Sequence, residues 1–246
     1  MKDHKLLVWT PEMISNFWDY ESRFPENYFA YGRGEEIVRR LRPYLPSGRS
    51  ILDYGCGPGY LIEHLLKLDL QVAGTDTSED SIRKVREKYS AYPGFINAFS
   101  REQLAASRQH FDIVIVLEVI EHLYDEALIG LLNNIRQLLK PGGTVIFTTP
   151  NEEQLEKHYL LCPVTNELFH RWQHVRNWSG DELRDYLENN GFAVENTFST
   201  NFNLSFHSRG KKHPLSEKWL VLRKKVKHFF KPDKKQPHLV AIAHPK

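Results

Sequence analysis

The tightest constraint on this chain's fold lies between Ser50 and Pro150, where short apolar runs and helical patterns take turns. SILD reads as a strand, Tyr60–Leu68 as a helix, QVAGTD as a strand, and Ser78–Tyr89 as a helix capped by Ser78, with Ile82 and Val85 facing inward. GFINAF and FDIVIVL follow as strands. Asp125–Leu139 then reads as a helix carrying Leu128, Leu131, Leu132, Ile135, Leu138 and Leu139, and TVIFTTP as a further strand. Parallel strands need long crossovers, usually helical, so the alternation predicts a doubly wound, mostly parallel α/β sheet with helices on both faces. Beyond it, Ser179 and Glu182 form a capping box, Gly191 ends that helix, and FAVENTF and HLVAIA read as two more strands.

A hydrophobic fraction of 41% and a charged fraction of 26% exclude a disordered or collagen-like chain, and 246 residues suffice for one well-buried core. Residues 11–42 mix Phe17, Trp18, Tyr20, Tyr28, Phe29 and Tyr31 with charges and are broken by Pro25 and Gly32. They predict an N-terminal helical cap over 1–45, ahead of a main domain over 46–246. Cys56 and Cys162 form no metal-spaced pair and no disulfide framework. No run approaches the ~20 apolar residues of a spanning helix, so the expectation is a cytoplasmic protein, peripheral at the inner face of a membrane if it touches one.

DYGCGPGY (53–60) ends the first strand and opens a helix. Gly55, Gly57 and Gly59 let the backbone turn tightly and approach a ligand, with helix N–H groups behind them. Such a loop can be structural alone, but Asp53 precedes it and Asp76 ends the second strand, where a carboxylate can accept ribose hydroxyls. Tyr60 stands where the dinucleotide pattern G-x-G-x-x-G needs its last glycine, which disfavours a nicotinamide dehydrogenase.

ILDYGCGPG, VAGTD, FDIVIVLEVIEHL and LLKPGGTVIFTTPN, in that order over roughly 50–151, resemble the class I S-adenosyl-L-methionine-dependent methyltransferases. The resemblance implies a Rossmann-like seven-stranded sheet whose last strand, HLVAIA, runs antiparallel. By position it implies that Asp53 and Gly55–Gly59 hold the methionine portion and Asp76 the ribose. Residues around Phe99 and Ser100 would lie near the adenine, and Leu117 beside the cofactor.

VLEVIEHLYD (116–125) places Glu118, Glu121 and His122 directly behind a buried strand. As the first turn of a helix at ~100° per residue, these three share one arc while Val119, Ile120 and Leu123 share another. Carboxyl ends of parallel strands are where ligands bind, so the polar arc would face the cofactor and its methyl acceptor. A solvated, acidic helix start accounts for the glutamates without His122. Two catalytic readings compete with it: His122 as general base, or Glu118, Glu121 and His122 as ligands of a divalent cation. The spacing is similar to the metal-binding turn of small-RNA 3′-terminal 2′-O-methyltransferases and to the EVxEH turn of ubiquinone-biosynthesis O-methyltransferases. The RNA enzymes imply a further histidine, for which FHRWQHVRNWS offers His170 and, better placed, His174; packing among Phe169, Trp172 and Trp178 is the competing role.

These features point to methyl transfer to a hydroxyl of a small-molecule, glycan or lipid-linked acceptor. The alternatives are a non-catalytic S-adenosylmethionine-binding subunit and an RNA 2′-O-methyltransferase. Net charge is +2, yet Arg209–Lys235 holds eleven lysines and arginines against Glu217 and Asp233. Within it Leu215, Trp219, Leu222, Val226 and Phe229 fall at helical spacing, so 207–237 is expected to be a basic amphipathic insertion. Residues 211–235 would meet an anionic membrane, with RNA the less favoured partner and packing on the domain the plainer role.

Overall fold

The structure, a computed structural model, describes residues 4–203 and 236–246. Its helices are α1 (Pro11–Glu21), α2 (Gly34–Leu41), α3 (Ile62–Leu65), α4 (Glu79–Tyr89), α5 (Arg101–Ser107), α6 (Asp125–Leu138) and α7 (Gly180–Asn189). Its strands are β1 (Ser50–Tyr54), β2 (Gln71–Thr75), β3 (Phe95–Phe99), β4 (Phe111–Leu117), β5 (Leu139–Pro150), β6 (Tyr159–Leu161), β7 (Leu168–His170), β8 (Phe192–Thr200) and β9 (His238–Pro245). Seven of them form one sheet in the order β3-β2-β1-β4-β5-β9-β8, in which only β9 runs against its neighbours. The doubly wound α/β expectation holds, including the antiparallel final strand.

Strands buried on both faces read as near-continuous apolar runs, as Ile113–Leu117 of β4 does. Side chains alternate across the sheet, so Val114 and Val116 join Leu52, Phe147 and the inner faces of α6 and α7, while Ile113 and Ile115 join Ile51, Val72, Ile146 and residues of α2, α3 and α4. Local chemistry sets the helix starts. Ser78 Oγ accepts the Ser81 N–H (3.2 Å), and Ser179 with Glu182 forms the expected reciprocal box. Ser100 and Gln103 form the same box ahead of α5, a helix added to those expected from the sequence.

Two helical expectations need correction. Tyr60–Leu68 shrinks to the single turn of α3, because His64 N–H to Leu61 O and Leu68 N–H to Leu65 O (both 2.9 Å) tighten the flanks. Residues 118–123 are not the first turn of a helix: Glu118 is left-handed (φ 50°), Ile120–His122 make a 3-10 turn, and α6 begins only at Asp125. The cause is the sheet. Glu118 N–H still bonds the Thr148 carbonyl of β5 (3.1 Å), so the chain leaves the ladder one residue too late to start a helix there.

The hairpin β6–β7, absent from the sequence reading, stands beside this edge and pairs through Leu168 with Leu6. The basic amphipathic insertion expected over 207–237 lies, apart from 236 and 237, outside the described residues. Its flanking strands are placed: Thr200 pairs with His238, and His238 with Pro150, so both strand ends meet the carboxyl end of β5.

Candidate active site

The first half of the site is the glycine loop after β1. Gly55, Gly57 and Gly59 all have positive φ, and the Gly57 N–H donates to Asp76 Oδ2 (2.8 Å). Asp76 Oδ1 accepts the Ser78 N–H (2.9 Å), so this carboxylate ties the loop to the start of α4. The Thr77 backbone N–H bonds this carboxylate as well, and of its roughly four acceptor positions one is left for a further donor. Burial pushes the Asp76 carboxyl above its usual range against these bonds. Tyr28 lies against the loop: a Cβ on Gly57 would lie 2.8 Å from its ring, and its phenol is pushed up by burial and by Asp76. Tyr60 packs against Tyr28 and Tyr31 (centroids 5.6 and 5.1 Å).

Asp53 ends β1 almost fully buried, and its Oδ2 has no hydrogen-bond partner among the described residues. Burial, reinforced by Asp76, moves its carboxyl from 3.8 to about 7. A buried anionic acceptor left unpaired is costly, and the ammonium of a methionine moiety would complete it. The loop and Asp53 therefore fit S-adenosylmethionine. Phe99 and Leu117 end β3 and β4 on the same edge, and Thr75 Oγ1 donates to the Phe99 carbonyl (2.9 Å). The Ser100 hydroxyl is occupied in capping α5.

The second half lies past β4 and β5. Thr148 Oγ1 donates to Glu118 Oε1 (2.7 Å) and Thr149 Oγ1 to Glu121 Oε2 (3.0 Å), so consecutive threonines of β5 hold the two glutamates. Glu121 is 1% exposed, and its Oε1 lies 4.0 Å from His122 Nε2. Neither Glu121 Oε1 nor His122 Nδ1 has a hydrogen-bond partner among the described residues. Burial raises both carboxyls, Glu121 further because Glu118 is close. His122 is pushed down to about 3 by burial and the neighbouring His174, so its ring is neutral. It packs edge-on against Trp18 of α1 and His174 (centroids 5.1 and 4.8 Å). Gln173, fully buried, donates to the His122 carbonyl (3.0 Å) and accepts from Trp18 Nε1 (3.2 Å), joining cap and site.

Ligand-type atoms of Glu121, His122 and His174 lie within 4.8 Å of one another, as do those of Glu153, His170 and His174. Around a cation with bonds of about 2.1 Å, two ligand atoms stand at most ~4.2 Å apart, so either set needs only a small contraction.

A family profile described as a methyltransferase domain matches residues 26–197. The chain belongs to this family. It is an S-adenosylmethionine-dependent methyltransferase with a Rossmann-like fold. A ubiquinone biosynthesis O-methyltransferase of Roseobacter denitrificans is 32% identical to it over 197 residues, covering 73% of this chain and 78% of the relative. Two solved structures share the methyltransferase's fold. The DhpI–SAH complex superposes with TM-score 0.57 at 18% identity, covering 94% of each chain. The PH0226 protein of Pyrococcus horikoshii gives 0.60 at 19%, covering 93% of this chain and 99% of its own.

Among the residues singled out from sequence, Asp53, the three glycines and Asp76 share one edge, and Glu121, His122 and His174 come together. Glu118 stands outside the latter set and turns to Thr148. Sequence reasoning missed Glu153 and Gln173. Glu153 carries a weak signal, an acid just after the strand TVIFTTPN; Gln173 carries none.

Proposed function

We propose that this methyltransferase transfers its methyl group to a hydroxyl oxygen of a small-molecule acceptor, with Glu121, His122 and His174 serving that acceptor. The observation carrying the reading is the buried Glu121 Oε1, without a hydrogen-bond partner among the described residues and 4.0 Å from His122 Nε2, with ligand-type atoms of Glu121, His122 and His174 all within 4.8 Å of one another. S-adenosylmethionine supplies the electrophilic methyl group and leaves as the thioether. Asp53 anchors its ammonium, Asp76 its ribose, and Gly55, Gly57 and Gly59 allow close backbone approach, with Phe99 and Leu117 beside the nucleoside. In-line displacement needs no covalent nucleophile; the protein supplies proximity, alignment and a destination for the hydroxyl proton. A neutral His122 offers a lone pair for that proton.

The same donor set fits a divalent cation. A buried Glu121 carboxylate with Oε1 unpartnered among the described residues, beside imidazoles, is the mixed ligation that suits Mg²⁺, Mn²⁺ or Zn²⁺, while Glu118 is held separately by Thr148. Likeness to the Roseobacter O-methyltransferase favours a phenolic, quinone-like acceptor over a glycan or lipid-linked one. The basic segment 211–235, on its sequence alone, supports delivery of such an acceptor from an anionic membrane surface; among the described residues no helix is long and apolar enough to cross one.

Labelled S-adenosylmethionine incubated with a cell extract tests the reading. Label in the lipid or small-molecule fraction as an alkali-stable methyl ether supports it, whereas label in RNA or none at all refutes it. Activity that survives chelation removes the cation, and activity that also survives His122→Ala removes the acceptor role of this cluster.

A further inference from the structure

Glu153 lies three residues past β5 and faces three histidines. Its Oε2 is 2.5 Å from His174 Nδ1, its Oε1 3.4 Å from His170 Nε2, and His158 Nε2 stands 4.0 Å from Oε1. His170 is 1% exposed, and its other nitrogen is spoken for: Nδ1 accepts the backbone N–H of Trp172 (3.2 Å) and of His174 (3.3 Å). Two N–H donors aimed at Nδ1 require a lone pair there, so a neutral His170 carries its proton on Nε2, 3.4 Å from Glu153 Oε1 but without hydrogen-bond geometry to it. An ionised carboxylate only accepts hydrogen bonds, so His174 must present N–H from Nδ1 as well.

We propose that Glu153 is the positioning residue of this site: it fixes His174 as the Nδ1–H tautomer and thereby turns the Nε2 lone pair over to Glu121 and His122. The inference rests on the proposed role of Glu121, His122 and His174, and it decides between the two histidine–carboxylate sets. Glu153, His170 and His174 resemble a second cation site in outline, but His170 Nε2 bears a proton and has no lone pair to give. The Glu121 set keeps free acceptors on all three members. Carboxylates behind a ligating histidine raise its basicity and hold its ring, which is the work this arrangement does. His170 stacks on His174 (centroids 4.4 Å, interplanar 15°), so the stack holds the ring plane while Glu153 fixes the proton position. It also gives the hairpin β6–β7 a purpose, since β7 ends at His170.

The test uses the full chain with ¹⁵N-labelled histidine and needs neither cofactor nor metal. Ring-nitrogen shifts should show His174 protonated at Nδ1, Glu153→Ala should move that proton wholly or partly to Nε2, and Glu153→Gln, whose amide oxygen still accepts, should restore Nδ1–H. His174 protonated at Nε2 in the parent, or a tautomer indifferent to Glu153→Ala, overturns the proposal. Calorimetric titration with Mn²⁺ alone gives the second readout: Glu153→Ala should weaken binding by roughly 10–100-fold and Glu153→Gln by less. Unchanged Mn²⁺ affinity in Glu153→Ala, where His174→Ala abolishes binding, also overturns it. Absence of Mn²⁺ binding in the parent would strike the cation reading, while the tautomer measurement still decides the role of Glu153. Thermal unfolding of the Gln variant verifies that the fold is retained.

Discussion

Asp53→Asn should make this methyltransferase more stable and a poorer binder of its cofactor at once. Asp53 titrates near 3.8 when unfolded and near 7 when folded, raised by burial and then by Asp76. An acid with a raised folded value contributes no penalty below 3.8, loses stability as pH rises from 3.8 to about 7, and stays penalised above that. At about 1.4 kcal/mol per pH unit, the full penalty is about 4 kcal/mol at pH 8, of which roughly 1.6 is already present at pH 5. Urea unfolding at these two pH values should therefore show the parent losing about 2.5 kcal/mol relative to Asp53→Asn on going to pH 8. Contributions from Glu118 and Glu121 are common to both proteins and cancel in the difference. Calorimetry with S-adenosylmethionine should show the opposite order: losing a charge-assisted hydrogen bond of about 1.5–3 kcal/mol weakens binding by roughly 10–150-fold. A variant whose stability tracks the parent between the two pH values, or whose cofactor affinity is unchanged, would refute the reasoning that Oδ2 waits for a cationic partner.

Gly57→Ala puts a methyl group 2.8 Å from the Tyr28 ring at φ 49°, so cofactor affinity should fall about tenfold or more, as read by calorimetry, with the helical circular dichroism retained. Gln173→Ala strands the Trp18 N–H and the His122 carbonyl; a cost of about 1–3 kcal/mol should lower Tm by about 2–4 °C per kcal/mol in a thermal scan. His238, lowered from 6.5 to about 4 by burial and by Arg33, contributes stability that is fully present above pH 6.5 and lost as pH falls toward 4. His238→Asn should remove up to about 3 kcal/mol of that acid dependence, measurable by denaturant unfolding across the same window.

What could be read in advance was whatever depends on neighbours in sequence. FDIVIVL is apolar from Ile113 on because both faces are covered there, Ser179 and Glu182 are three residues apart because a box needs that spacing, and the glycine loop follows its strand directly. Glu118 shows the opposite case. Its left-handed turn is dictated by a hydrogen bond to Thr148, thirty positions on, and no local pattern distinguishes it from a helix start. The glutamates' partners, Thr148 and Thr149, look like ordinary strand residues until the register of β4 against β5 is known. Glu153 and Gln173 escape for the same reason: each acts through a contact between segments joined only by the folded sheet and the hairpin beside it.

The position of β9 sets the order in which a nascent chain can finish this sheet. It is an interior strand, paired on one side with β5 and on the other with β8, yet it is synthesised after both. Until His238–Pro245 has left the ribosome, β5 presents an open edge and β8 has nothing in the sheet to pair with. Unpaired edges recruit other chains, and long-range pairing is slow, so the interval between translation of β8 and arrival of β9 is when chaperones should hold this chain and when premature termination should aggregate it.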